Sequence, residues 1–134
     1  MFLLKIDKKN CLRFASRIAA ILDAKRKQFF LSIFNRNNVH WVKSGQDSLI
    51  KASQFVERFG HEKEPIWLLG EGLVYYEKAF IADGVRFLDK EYWPAKARNV
   101  YLVGRRMARN ADYADPSTLV PFYLRKPQAA VKRL

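Results

Sequence analysis

Two apolar runs stand almost back to back near the start of the sequence, RIAAILD over residues 17–23 and RKQFFLSIF over residues 26–34. Only Asp23, Ala24 and Lys25 are left to connect them. A connection that short leaves no room for a helical crossover, so the runs must be antiparallel neighbours joined by a tight hairpin. The second run also follows too soon for the first to be a helix. Asparagine tolerates positive φ and bonds its own backbone, so the NRNN stretch at 35–38 marks a second turn before the alternating VHWV. A three-stranded antiparallel meander is expected.

Ser44, Gly45 and Gln46 break this pattern. The stretch DSLIKASQFVERFG then puts Leu49, Ile50, Ser53, Phe55, Val56 and Phe59 near one face of a helix, with Asp47 or Ser48 as its cap and Gly60 at its end. Pro65 opens IWLLG, a short apolar run that reads as an interior strand. GLVYYEKAF reads as a short helix with Leu73, Tyr76 and Phe80 on one side, and VRFLD as a further strand. WPAKARNVYLVGRRMARN carries Ala97, Val100, Tyr101, Gly104 and Ala108 at helical spacing, with Pro94 in the first turn. Gly104 costs about 1 kcal/mol against alanine there, which points to close packing. A loop from Ala111 to Pro121 leads into the extended VPFYLRK. The fold class is α/β, a single lobe in which an antiparallel meander is followed by alternating helices and strands. Residues 1–16 form an extension, residues 17–126 the domain, and residues 127–134 a basic tail.

The chain has 134 residues, a length that fits one domain with a real core. Lysine and arginine number 25 against 13 acidic residues, a net charge of +12. Such a balance favours polyanionic partners by phosphate neutralisation, and it equally serves solubility. Cys11 is the only cysteine, which excludes an internal disulfide and fits a reducing compartment. No apolar stretch approaches the roughly 18 residues of a membrane span, and the Phe2 to Leu4 run is far shorter than a signal-peptide core. A cytoplasmic protein with no membrane partner is expected.

His40 and His61 have no acid or nucleophile beside them, which leaves a hydrolytic triad without support. Glu62 with Glu64, and Asp112 with Asp115, offer fewer oxygens than a dedicated hard-metal site needs. No catalytic residue, metal site or cofactor is therefore expected. Gly70, Glu71 and Gly72 form a G-x-G between strand and helix, better suited to a tight turn than to phosphate, since Glu71 would repel an anion. Lys25, Arg26 and Lys27 crowd positive charge at the hairpin turn beside Phe29 and Phe30. Both rings read as core, although an open sheet face would turn one outward and make an aromatic and basic nucleic-acid surface. Arg105, Arg106 and Arg109, with Arg98, line the late helix, either as a solvated face complementing its dipole or as an RNA contact.

Three stretches together resemble the C-terminal half of the TsaB (YeaZ) family. In RIAAILDAKRKQFFLSIF, the residues Asp23, Ala24 and Lys25 stand where the family has a strand followed by Asp-Ala-Arg. PIWLLGEGLVYY is similar to its strand, Gly-x-Gly turn and short helix, with Gly70 and Gly72 at the glycine positions. LVPFYLRKPQA resembles its closing Pro-x-Tyr-Leu-Arg signature, with Pro121, Tyr123, Leu124 and Arg125 in register. The resemblance runs over about residues 17–130. It implies a lobe of the actin and sugar-kinase (ASKHA) type, with an RNase H-like sheet. It also implies a non-catalytic subunit in the threonylcarbamoylation of tRNA adenosine. The implied partners are a TsaD-like catalytic subunit, a TsaE-like ATPase and a separate TsaB N-terminal lobe. Residues 1–16 have no counterpart of the family's N-terminal lobe, and Lys25 replaces its usual arginine. A free-standing tRNA-binding module using Lys25, Arg26, Lys27, Arg105, Arg106 and Arg109 is the competing expectation, as is a truncated remnant without activity of its own.

Overall fold

The computed structural model describes residues 13–125. Most of the expected N-terminal extension and the whole basic tail lie outside the described residues. Strand β1 (Arg17–Asp23) pairs antiparallel with β2 (Gln28–Asn37) along its full length, from Arg17 opposite Asn35 to Asp23 opposite Phe29. Strand β3 (His40–Lys43) returns against the far half of β2, which completes the expected meander.

The second turn is shorter than the asparagine run. Asn35, Arg36 and Asn37 belong to β2, and only Asn38 and Val39 turn, with Asn38 at φ +55°. The backbone of Arg36 donates to the Ser16 carbonyl at 2.7 Å and its guanidinium to the Arg13 carbonyl at 2.7 Å. These bonds carry the ladder past the start of β1 and keep the asparagine run extended.

The helix expected from Asp47 begins later. Residues Ser48–Lys51 form strand β4, paired with the near half of β2, and helix α1 (Ala52–Phe59) follows at once. β2 is ten residues long and β3 covers only its far end, so the near end offers unpaired backbone groups that Leu49 and Ile50 satisfy. Ile50 is buried on the α1 side and Leu49 faces the other way. Lys51 takes the N-cap position, and its N–H donates to Gln54 Oε1 at 2.9 Å.

Asp47 ties strands together instead of capping. It accepts from the Ser32 hydroxyl and from the Lys43 ammonium at 2.7 Å. These two donors, Lys43 first, hold its carboxyl below the ordinary carboxylate range. The contribution is therefore complete above the unfolded carboxylate pKa and fades as pH falls through the lower folded value. With both partners part-exposed, we expect about 1 kcal/mol. The urea midpoint of Asp47→Asn should lie below that of the parent at pH 7 and meet it near pH 2; an equal gap at both pH values contradicts the assignment.

Strand β5 (Ile66–Leu69) runs parallel to β1 on one side and to β6 (Val85–Phe87) on the other, the interior position expected for it. The sheet order is β3, β2, β1, β5, β6, with β4 in line with β3 along β2. Between β5 and β6 lie the single turn α2 (Leu73–Tyr76) and a 3-10 segment, Glu77–Phe80. This is the mixed α/β architecture read from the sequence.

One sheet face carries Ala19, Ile21, Phe29, Leu31, Ile66 and Leu68, covered by Phe55 and Phe59 of α1 and by Leu73 and Phe80. The other carries Ile18, Phe34, Trp41 and Leu69 under Ala15 and Leu88. Among the described residues, this second face is covered at one end only. Leu22 and Phe30 lie opposite each other near the hairpin turn and remain 46% and 38% exposed. The expectation that both phenylalanines are core is corrected: Phe29 is buried, and Phe30 faces outward because, among the described residues, no helix crosses the turn end of that face.

Helix α3 (Ala97–Arg109) forms where its spacing predicts, with Pro94 ahead of the first turn. None of its residues is buried. Gly104 meets nothing within 4 Å of where a Cβ would stand, so the close packing expected of it is not made among the described residues.

Candidate functional site

The carboxyl ends of the parallel strands β1 and β5 lie side by side, the place where α/β sheets collect functional groups on their connecting loops. At the end of β1, Asp23 folds back on its own turn. Its Oδ1 accepts from the Lys25 N–H at 2.8 Å and its Oδ2 from the Lys25 ammonium at 3.1 Å. The backbone bond, then the ammonium, holds the Asp23 carboxyl below the usual carboxylate range. Asp23 in turn raises the Lys25 amine, and the charge of Glu71 adds in the same sense.

The hairpin closes through Ala24 N–H to the Gln28 carbonyl at 2.9 Å and Gln28 N–H to the Lys25 carbonyl at 3.1 Å. Between them Lys25, Arg26 and Lys27 have φ of +64°, +56° and +57°. Each left-handed residue carrying a Cβ costs roughly 1 kcal/mol or more, so glycine should be the better residue there. We expect Lys27→Gly to stabilise the chain by about 0.5–1 kcal/mol, net of glycine's added unfolded-state freedom. A lower urea midpoint for this variant would contradict the turn geometry.

β5 delivers the second turn to the same place. Gly70 has φ +122°, and a Cβ on it would stand 2.0 Å from the Ile21 carbonyl oxygen. Gly72 donates its N–H to that oxygen at 3.3 Å, and a Cβ there would press on the Phe29 ring at 3.1 Å. The glycines thus seat the G-x-G turn directly against β1. The third stretch arrives from the other end of the chain. Arg125 donates to Gln28 Oε1 at 2.5 Å and to the Lys25 carbonyl at 3.4 Å.

The motif positions Asp23, Ala24, Lys25, Gly70, Gly72 and Arg125 therefore converge on the β1–β2 turn. Pro121 and Tyr123 lie exposed on the approach and Leu124 is half-buried beside Arg125. Ala24 is nearly buried, at 7% exposure. Gln28, which receives Arg125, has no signal in the sequence that would single it out. Of the basic residues proposed for RNA, Lys25, Arg26 and Lys27 form the exposed turn, whereas Arg98, Arg105, Arg106 and Arg109 belong to α3.

The acid and the amine gathered here, Asp23 and Lys25, are bonded to each other. Elsewhere, Glu62 pairs with Arg17, and Asp115 accepts from the Ser117 N–H at 2.9 Å and its hydroxyl at 2.7 Å. His40 and His61 are both exposed. Among the described residues no three His, Cys, Asp or Glu side chains gather as a metal site would require.

Comparison with solved structures places this architecture. YeaZ from Pseudomonas aeruginosa superposes with a TM-score of 0.57 at 16% identity, over 83% of this chain and 51% of that one. The fold is YeaZ-like. A second Pseudomonas aeruginosa structure, of an uncharacterized protein with similarity to peptidase YeaZ, gives a TM-score of 0.59 at 18% identity, over 84% of this chain and 51% of that one. The chain thus spans about half the length of the YeaZ structures it matches. No family model and no curated protein matches the sequence. The agreement with YeaZ is one of fold, and it covers most of this lobe. No helix among the described residues is long and apolar enough to cross a membrane.

Proposed function

We propose that the chain is a non-catalytic, TsaB-like scaffold lobe in the threonylcarbamoylation of tRNA adenosine. It works by association with a TsaD-like catalytic subunit, alongside a TsaE-like ATPase, or with a separate TsaB-type N-terminal lobe. The observation that carries this reading is the meeting of three distant stretches at one turn, with Arg125 reaching Gln28 across 97 positions of sequence. Those are the stretches that resemble the TsaB family, and the YeaZ-like fold agrees with them. The engaged Asp23 and Lys25 support a structural rather than a peptidase or other catalytic role for the site.

The test is association. The purified chain should co-migrate with the TsaD-like protein or with the N-terminal lobe from the same genome, and cells lacking it should contain less threonylcarbamoyladenosine. A chain that remains a monodisperse monomer beside both proteins, with tRNA modification unchanged, would sink the reading.

The exposed turn of Lys25, Arg26 and Lys27 beside the outward Phe30 favours a second reading, a tRNA-binding module. It requires tRNA affinity that falls steeply with salt and whose salt slope drops on charge reversal at Lys25 and Lys27. No retention on tRNA at low salt removes it.

A further inference from the structure

We propose that α3 and the extended segment behind it are a docking surface for a separate acidic protein, with Val100, Tyr101 and Met107 as its apolar contact. This rests on the scaffold reading above and names where the partner binds. No residue from Ala97 to Tyr123 is buried. Yet the helix exposes Val100 at 71%, Tyr101 at 62% and Met107 at 44%, and the following segment exposes Leu119, Val120, Phe122 and Tyr123. A helix of this length is marginal in water without an apolar face to bury. Large apolar patches on single chains mark interaction sites.

Gly104 sits within this stripe with open space around it. A glycine that weakens the helix and packs against none of the described residues leaves bare backbone where a second surface can approach closely. The YeaZ structures have about as much chain again beyond the part matched here, a measure of how large a body such a lobe can sit against.

Charge selects the kind of partner. The only charged residues of α3 are Arg98, Arg105, Arg106 and Arg109. The segment beyond the helix holds two carboxylates, Asp112 and Asp115, against the four arginines, and Asp115 is engaged by Ser117. A second copy would set these arginines against each other, on two bodies each carrying +12, and like charges across an interface cost several kcal/mol. RNA would pair with Arg98, Arg105 and Arg109 but offers no apolar counterpart to Val100 and Met107. An acidic protein surface with an apolar furrow satisfies both.

The full chain is titrated by calorimetry against the TsaD-like protein and the TsaB-type N-terminal lobe of the same genome, with tRNA and self-association by sedimentation as parallel arms. One of the two proteins should bind and should protect the α3 amides from hydrogen exchange. Val100→Asp combined with Tyr101→Asp should weaken that binding by about tenfold or more. Arg105→Glu with Arg109→Glu should weaken it several-fold, and Lys63→Glu in the α1–β5 loop should leave it unchanged. Because the substituted side chains are exposed, the urea midpoint of the free chain should hold. Binding that is indifferent to the α3 variants overturns the docking surface and leaves the scaffold reading standing. Binding to neither protein overturns both. An α3-dependent affinity for tRNA alone assigns the helix to RNA, and an α3-dependent dimer assigns it to a second copy; either outcome overturns the proposal.

Discussion

Gly70→Ala should cost about 4 kcal/mol or more, enough to leave a marginally stable domain largely unfolded. Two effects add. The φ of +122° lies in a region that residues with a Cβ scarcely enter, and the Cβ would stand 2.0 Å from the Ile21 oxygen and 2.9 Å from the Ile21 carbon and nitrogen. Relief by movement is closed off, because Ile21 is fully buried and paired with Leu31 in the β1–β2 ladder. Gly45→Ala is the comparison: φ is +76° there but nothing lies within 4 Å, so only the backbone cost of about 1 kcal/mol remains. Urea denaturation of both variants checks this, and equal losses would show that the contact of the G-x-G turn with β1 is not what requires glycine.

Phe29→Ala should cost about 3–5 kcal/mol, the range for emptying an aromatic from a core. The Phe29 ring packs edge-on against Tyr76 at 5.2 Å and Phe80 at 5.0 Å, and it lies under Gly72. It therefore supports α2, the 3-10 segment and the G-x-G turn together. Phe30→Ala, one residue on, removes a ring from the open face and should cost less than about 1 kcal/mol. Thermal or urea melts of the pair read the difference, and similar losses would contradict the assignment of the two rings to opposite faces.

The hairpin was legible because a short connection between apolar runs admits one geometry, and β5 because a brief apolar run between turn residues suits an interior strand. Leu49 and Ile50 misled because their spacing to Phe55 and Phe59 fits a helix, whereas the deciding factor was the unpaired near half of β2, a tertiary matter. Phe30 misled because a continuous apolar run implies cover on both faces, and among the described residues the cover stops short. The motif residues were legible one by one through family resemblance. Their meeting was not, since only the fold brings Arg125 to Gln28, and glutamine in a strand announces nothing. The amphipathic spacing of α3 announced a helix correctly but could not say that its apolar side would face solvent.

The division of labour beside β2 has a consequence for how this chain behaves in a crowded solution. β3 and β4 share one margin of the sheet in pieces of four residues each, and β6 closes the other with three. A stranger seeking to add itself to the hydrogen-bond ladder finds, among the described residues, no long straight rail on either side, and short interrupted rims are how natural sheets resist amyloid-like stacking. A protein this rich in exposed apolar side chains is thereby steered to meet others through helix and sheet surfaces, whose side chains can be selective, and away from its backbone, which would accept almost any sequence.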